Sequence, residues 1–264
     1  MEKLLLFIIL AFVCSCEPPT QATLRASSSA ASSAQAPSLW PKSAFPLKVK
    51  ISSAFNSDET MAIEDMTDAW NDSVNYQITF MSNDGATAPK SNDLNSYVDS
   101  LIGVYKLTAW PASLPGTALA VTQIYGTRKN VGRSSEYIRI DHADILINYD
   151  YFSFTTDYSW GYDLQTIVLH EMGHLLGLYH DESSIDESVM FPTITRSVNN
   201  RYPLDRDISN LRNKYAISGS SASNAFRTPA NTQDNVEDSD SGEKIIIQFE
   251  IMVDGSENTK IIKR

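Results

Sequence analysis

Three of the four histidines in this 264-residue chain fall within eleven positions, in the run His170-Glu171-Met172-Gly173-His174-Leu175-Leu176-Gly177-Leu178-Tyr179-His180. On a helix, residues four apart share one face about a turn apart, so His170 and His174 would converge on one point. Glu171 stands one residue on, placed to reach that point without being a ligand. Gly177 lacks a Cβ and suits the left-handed residue that ends a helix. The chain can then reverse and bring back His180 as a third nitrogen. Three protein ligands with one open position is the catalytic arrangement of zinc, whereas structural zinc is closed by four. Zinc lowers the pKa of its bound water to about 7. Glu171 would take the proton of that water as it attacks a carbonyl, then pass it to the leaving amine. The metal would stabilise the developing oxyanion. A lone helical histidine is more often a satisfied core or surface residue, and His-Glu-x-x-His alone arises by chance. Five matched positions in a chain otherwise poor in histidine put a chance match well below about one in a thousand.

The elements that must position these residues follow from periodicity. Phe45 to Ile51 alternates apolar and polar residues as a strand. Asn56 to Asp58 offers caps for a helix whose apolar stripe is Ala62, Met66, Ala69 and Trp70. Tyr76 to Met81 reads as a second strand, residues 82–100 as an irregular Asn-, Asp- and Ser-rich segment, and Leu101 to Lys106 as a further strand. Gly116 to Gly126 is a strand bounded by glycines, and Tyr137 to Asn148 an Ile-rich one before an aromatic loop at 149–162. Asp163 can cap a helix to about Leu176, with Leu164, Ile167, Val168 and Leu175 facing a core. A last helix, Asp205 to Tyr215, carries Ile208, Leu211 and Tyr215 on one stripe. This order predicts an α+β fold: a mixed twisted sheet, an active-site helix and a C-terminal helix.

The ends differ in composition. Lys3 followed by ten apolar residues, Leu4 to Val13, is too short to span a bilayer and reads as an export signal over residues 1–15. Its ending, Val13-Cys14-Ser15-Cys16, resembles a bacterial lipobox, with cleavage before a lipidated Cys16; the alternative is an ordinary cleaved signal, but no Ala-x-Ala site follows the apolar run closely. Residues 16–39, rich in Ser, Ala, Pro and Gln, predict a flexible tether, and 40–217 the catalytic domain. A disordered linker is expected at 218–241 and a β-prone tail at 242–264, with Lys244 to Val253 turned back by Asp254-Gly255 through Thr259 to Ile262. A two-stranded hairpin is marginal alone, so this one should pair with something. No cysteine follows Cys16, so the folded part can hold neither a disulfide nor a thiolate ligand. A formal net charge of −11 argues against nucleic acid and anionic membrane surfaces, which need clustered Lys and Arg. A monomer is expected.

Ser188-Val189-Met190-Phe191-Pro192, ten residues beyond His180, completes a pattern that resembles the metzincin metallopeptidases, whose His-Glu-x-x-His-x-x-Gly-x-x-His precedes a methionine turn. The short gap and the Met-aromatic-Pro sequence look like matrixins or their bacterial relatives, over roughly residues 40–217. The resemblance implies a metzincin-like catalytic domain, Met190 as an apolar floor beneath the metal, and a closing helix in Asp207-Ile208 with Leu211 and Tyr215. Gly116 to Thr122 resembles the edge strand that pairs with substrate, with Leu119 and Ala120 as candidates; an ordinary interior strand is as good a reading. Ile194 stands in the specificity-pocket wall, where vertebrate members usually have Tyr. No Pro-Arg-Cys-Gly segment precedes the domain, so latency by a cysteine ligand is not expected. The family's three-histidine structural zinc site is absent, and His142 reads as a strand residue. Asp181 could orient a ligand or be a solvated loop carboxylate. Zinc is the expected cofactor, with calcium left open among the Asp-rich loops.

The leading expectation is a zinc endopeptidase acting on extracytoplasmic peptides or proteins, exported and lipid-anchored at Cys16 to a bacterial membrane, on its periplasmic face or at the cell surface. A catalytically silent binding or adhesion lipoprotein on the same fold is the alternative, against which the intact Glu171 and histidines speak. A zinc hydrolase of non-peptide amides is a third class with nothing in its favour.

Overall fold

The computed structural model describes residues 36–217, 242–253 and 258–263. The export signal, Cys16, the tether as far as residue 35, the 218–241 linker and the Asp254-Gly255 turn lie outside the described residues. The folded unit begins at Ala36. It starts ahead of Trp40 because Ser38–Leu39 forms a short strand, β1, parallel to Ile138 and Arg139.

The strands are β2 (Leu47–Ser52), β3 (Met81–Thr87), β4 (Ile102–Leu107), β5 (Ala118–Lys129), β6 (Tyr137–Asn148), β7 (Phe154–Thr155), β8 (Tyr162–Asp163), β9 (Lys244–Met252) and β10 (Asn258–Lys263); the helices are α1 (Ser57–Ser73), α2 (Leu164–Leu175) and α3 (Asp205–Tyr215). The main sheet runs β10-β9-β5-β6-β4-β2-β3, with β1 also on β6, and β7 and β8 pair separately. β2, β3, β4 and β6 are mutually parallel where they pair, while β5 is antiparallel to both β6 and β9. The sheet is therefore mixed and the fold α+β.

Local sequence explains most of these elements. Leu47, Val49 and Ile51 of β2 are buried and Lys48 exposed, the alternation of a strand with one face on a core. Asn56 caps α1: its side chain accepts from Glu59 N at 2.9 Å, and the Glu59 carboxylate accepts from Asn56 N at 2.9 Å. β3 lies later than the expected Tyr76–Met81 strand. Asn71 Oδ1 accepts from Phe80 N (2.8 Å) and Met81 N (3.2 Å), holding the approach, and pairing with β2 begins only at Leu47↔Met81. Most of β3 is exposed and polar, so it has no buried face to leave a periodic signal.

Two cores flank the sheet. The larger holds α1, α2 and the inner sheet residues, including Trp70, Phe80, Leu169, Ile145, Ile147, Phe249 and Ile251. The smaller, on the opposite face, gathers Tyr97, Tyr105, Trp110, Val121, Tyr125 and Leu146. α2 is fixed between α1 and the sheet, with Trp70 Nε1 donating to Leu169 O at 3.0 Å and every α2 residue buried.

Candidate active site

Helix α2 starts at Asp163, whose carboxylate accepts from Thr166 N at 2.9 Å and pairs with the Arg201 guanidinium. Its end is a two-bond left-handed cap. Gly177 has φ of 83°, Gly177 N donates to His174 O at 2.7 Å, and Leu178 N donates to Gly173 O at 2.9 Å. The reversal brings His180 back, so that ligand atoms of His170, His174 and His180 all lie within 4.8 Å of one another.

The tautomers favour a cation. His170 Nδ1 is 2.7 Å from Val189 O, and His174 Nδ1 is 2.8 Å from Leu178 O. Carbonyls only accept, so both Nδ1 atoms carry the proton and both Nε2 atoms offer a lone pair. Those two Nε2 atoms are 3.0 Å apart. Burial pushes His170 down to about 3 and His174 well below the usual histidine range, so protonation does not relieve the opposed lone pairs. A divalent cation between them would. The nitrogen donor set suits zinc.

Glu171 is fully buried. Its Oε2 accepts from the Thr122 hydroxyl at 2.5 Å, and its Oε1 has no hydrogen-bond partner among the described residues. Burial pushes the carboxyl up to about 8. One oxygen is thus held by strand β5 and the other is left without a hydrogen bond among the described residues. Thr122 is the residue the motif did not reveal. It lies inside the glycine-bounded strand, and only tertiary folding puts its hydroxyl on Glu171.

Met190 is buried below α2. A Cβ at Gly173 would run into Met190 Sδ and come within 3.0 Å of its methyl carbon, so the methionine side chain packs directly against the helix backbone at this glycine. The turn is tied to α3 by Asp207, which accepts from Ser188 Oγ (2.5 Å), Val189 N (2.9 Å) and Leu204 N (2.9 Å). Because Val189 O holds His170, Asp207 fixes that ligand at one remove. The Asp181 carboxylate goes to Arg206 Nε (2.5 Å) and Ser183 N (3.0 Å). It organises the loop after His180 and touches no imidazole in these contacts.

Leu119, Ala120 and Ile194 are fully buried. β5 is no open edge, since β6 lies on one side and β9 on the other; Ala120 stands opposite both Ile147 and Ile251. Ile194 N donates to Met252 O at 3.3 Å. His142 is on β6, stacked on Tyr125 at 4.0 Å, with Nε2 3.0 Å from Tyr97 O. It belongs to a second group, Asp99, His142 and Asp144, whose ligand atoms also lie within 4.8 Å of one another. There a cation is already built in: Lys90 Nζ is 2.8 Å from Asp99 Oδ2. The Asp-rich loops contribute no other such group among the described residues.

An α+β sheet with a helix presenting two histidines, a third on the return, a buried glutamate next in sequence to the first and a methionine beneath has the layout of a metzincin-type metal centre. Residues 42–216 match the family model described as Matrixin, and the chain belongs to that family of metallopeptidases. A stretch of 33 residues is 61% identical to the Metalloendoproteinase 2-MMP of Arabidopsis thaliana, covering 12% of this chain and 8% of that protein. The similarity thus spans less than a tenth of that relative's length.

Proposed function

We propose that the protein is a zinc-dependent endopeptidase acting on extracytoplasmic peptides or proteins, with Glu171 as general base and acid. The observation that supports this best is the convergence of His170 and His174 lone pairs beside a buried glutamate with one unengaged oxygen. Held by His170, His174 and His180, zinc would supply Lewis acidity toward a substrate carbonyl and a water acidic enough to ionise near neutrality.

The chain's own residues account for the remaining steps. Glu171 Oε1 takes the proton of the attacking water, while Thr122 keeps Oε2 turned aside and fixes the carboxylate plane. Burial raises the proton affinity of Glu171, which suits a group that must accept a proton and then deliver it to the departing amine nitrogen. The edge of β5 that now pairs with β9 would supply backbone for an extended chain only once β9 is displaced, with Ile194 as an apolar wall beside it.

We further propose export and lipid anchoring at Cys16 to a bacterial membrane, with a single chain as the acting unit; the apolar run and lipobox-like ending support the anchor. Among the described residues no helix is long and apolar enough to cross a membrane.

The test is cleavage of a diverse peptide mixture by the zinc-loaded chain, read by mass spectrometry. Cleavage should stop with a chelator and vanish in Glu171→Ala while one zinc stays bound. Undiminished cleavage by that variant would sink the mechanism. A chain that binds zinc yet cleaves nothing, with β9 intact or displaced by substitution, would point to a binding protein. Cys16→Ser should abolish lipid labelling, and persistent labelling would refute the anchor.

A further inference from the structure

Strand β9 does not merely extend the sheet. It lies antiparallel on β5 with Phe249 opposite Thr122, Glu250 opposite Val121 and Ile251 opposite Ala120. Thr122 is the residue whose hydroxyl holds Glu171. β9 therefore runs along the stretch of β5 that borders the general base. At its end it meets the segment after the methionine turn: Thr193 and Met252 form a parallel bridge, Met252 N donates to Pro192 O at 3.1 Å, and Ile194 N donates to Met252 O at 3.3 Å. An extended peptide bound between β5 and the 192–194 wall would make these same main-chain bonds.

The side chains also contact the site. The Phe249 ring stacks on His174 with centroids 4.3 Å apart and planes at 10°, and lies 6.1 Å from the His180 ring. Phe249, Ile247 and Ile251 are completely buried on the face that carries α2. Alternate residues of β9 thus fill apolar positions beside the histidines, while its backbone uses the pairing groups of β5.

We propose that β9 is an intramolecular occupant of the substrate groove that holds the peptidase latent, and that the groove selects extended segments with large apolar side chains at alternate positions. The inference rests on the endopeptidase reading of the same site. It follows from two facts: one strand edge can pair with only one chain at a time, and a strand tethered to its own groove competes at an effective concentration on the order of millimolar. A substrate must displace it.

The test uses the full zinc-loaded chain with Phe249→Asp and Ile251→Asp together, which would place two carboxylates in apolar positions. Hydrolysis of a quenched fluorescent peptide, measured as kcat/KM, should rise at least about tenfold, and a synthetic peptide spanning residues 243–253 should inhibit the variant again in trans. Equal activity in the wild type and a folded variant would overturn latency. Should the double variant fail to fold, hydrogen exchange on the wild type decides: a saturating peptidic hydroxamate inhibitor should speed exchange at amides 246–251. Unchanged protection with the inhibitor bound would show that β9 is a structural strand outside the groove. Cleavage by no form, with exchange still rising on inhibitor binding, would remove the endopeptidase reading and leave the occupancy standing.

Discussion

The described residues hold two clusters of potential ligands with similar ingredients, and they differ in how charge is balanced. On the helix side of the sheet, His170, His174 and His180 converge, with Glu171 next to His170 on the same helix. On the opposite side, His142 stands with Asp99 and Asp144. Both sets bring potential ligand atoms within 4.8 Å of one another. In the first, backbone carbonyls take the Nδ1 protons of His170 and His174, and the Nε2 lone pairs face each other with no side-chain ammonium or guanidinium in the contacts described. In the second, Lys90 bonds Asp99 and lies 4.8 Å from the ring centroids of both Tyr97 and Tyr105. Burial pushes Asp144 up to about 8, so it stays protonated near neutrality. Counting ligands does not distinguish the two groups. Counting cations and tautomers does.

That contrast can be broken in stages. The largest effect is expected from Glu171→Ala, which should lower kcat/KM on peptide by about a thousandfold with zinc content unchanged. His174→Ala should remove zinc, seen as loss of metal by atomic absorption after gel filtration, whereas His142→Gln should leave one zinc per chain. Metal lost from His142→Gln instead would erase the distinction between the groups.

Replacing the built-in cation, Lys90→Met, should cost at most about 1 kcal/mol of stability in urea titrations, since its partner Asp99 is exposed and solvent can replace the ion pair. No loss would mean that Lys90 is a surface ornament of the second group. Thr122→Val should lower kcat by about tenfold with KM little changed, because it frees the plane of Glu171 without removing the base; 1.4 kcal/mol corresponds to that factor.

The smallest effect concerns pH. The Asp144 carboxyl keeps its proton up to about 8 when folded and releases it near 3.8 when unfolded. Between those values the folded chain binds more protons, so this residue's contribution falls as pH rises and is gone above the upper value. Its slope is at most about 1.4 kcal/mol per pH unit. Asp144→Asn should flatten the decline in stability between pH 6 and 8, measured by chemical denaturation at both; an unaltered decline would assign it to another group.

Much of the fold was legible along the chain because the signals are local. Asp205–Tyr215 and Tyr137–Asn148 appear as helix and strand at the boundaries that periodicity gives, and α2 differs at its end by one residue. α3 buries one stripe against a core, while β6 and α2 are buried on more than one side and show instead as apolar runs bounded by polar residues. β3 was displaced because its exposed polar residues carry no such pattern, and β1 was missed because two residues are too few to show one. The histidine spacing was visible for the same local reason: helix geometry places residues four apart together, and Gly177 permits the reversal.

The sequence by itself determined the metal-binding pattern, the methionine turn and the order of the longer strands and helices, since each depends on residues close in the chain. Only the tertiary structure decided the long-range assignments. Thr122 holds Glu171 across 49 positions, Phe249 stacks on His174 across 75, and Lys90 answers the carboxylates that would otherwise make a second cation site. Nothing in local periodicity specifies which distant strand pairs with β5. That choice depends on which apolar face fits the groove beside α2, and β9, with Ile247, Phe249 and Ile251 on one side, is the strand that fits.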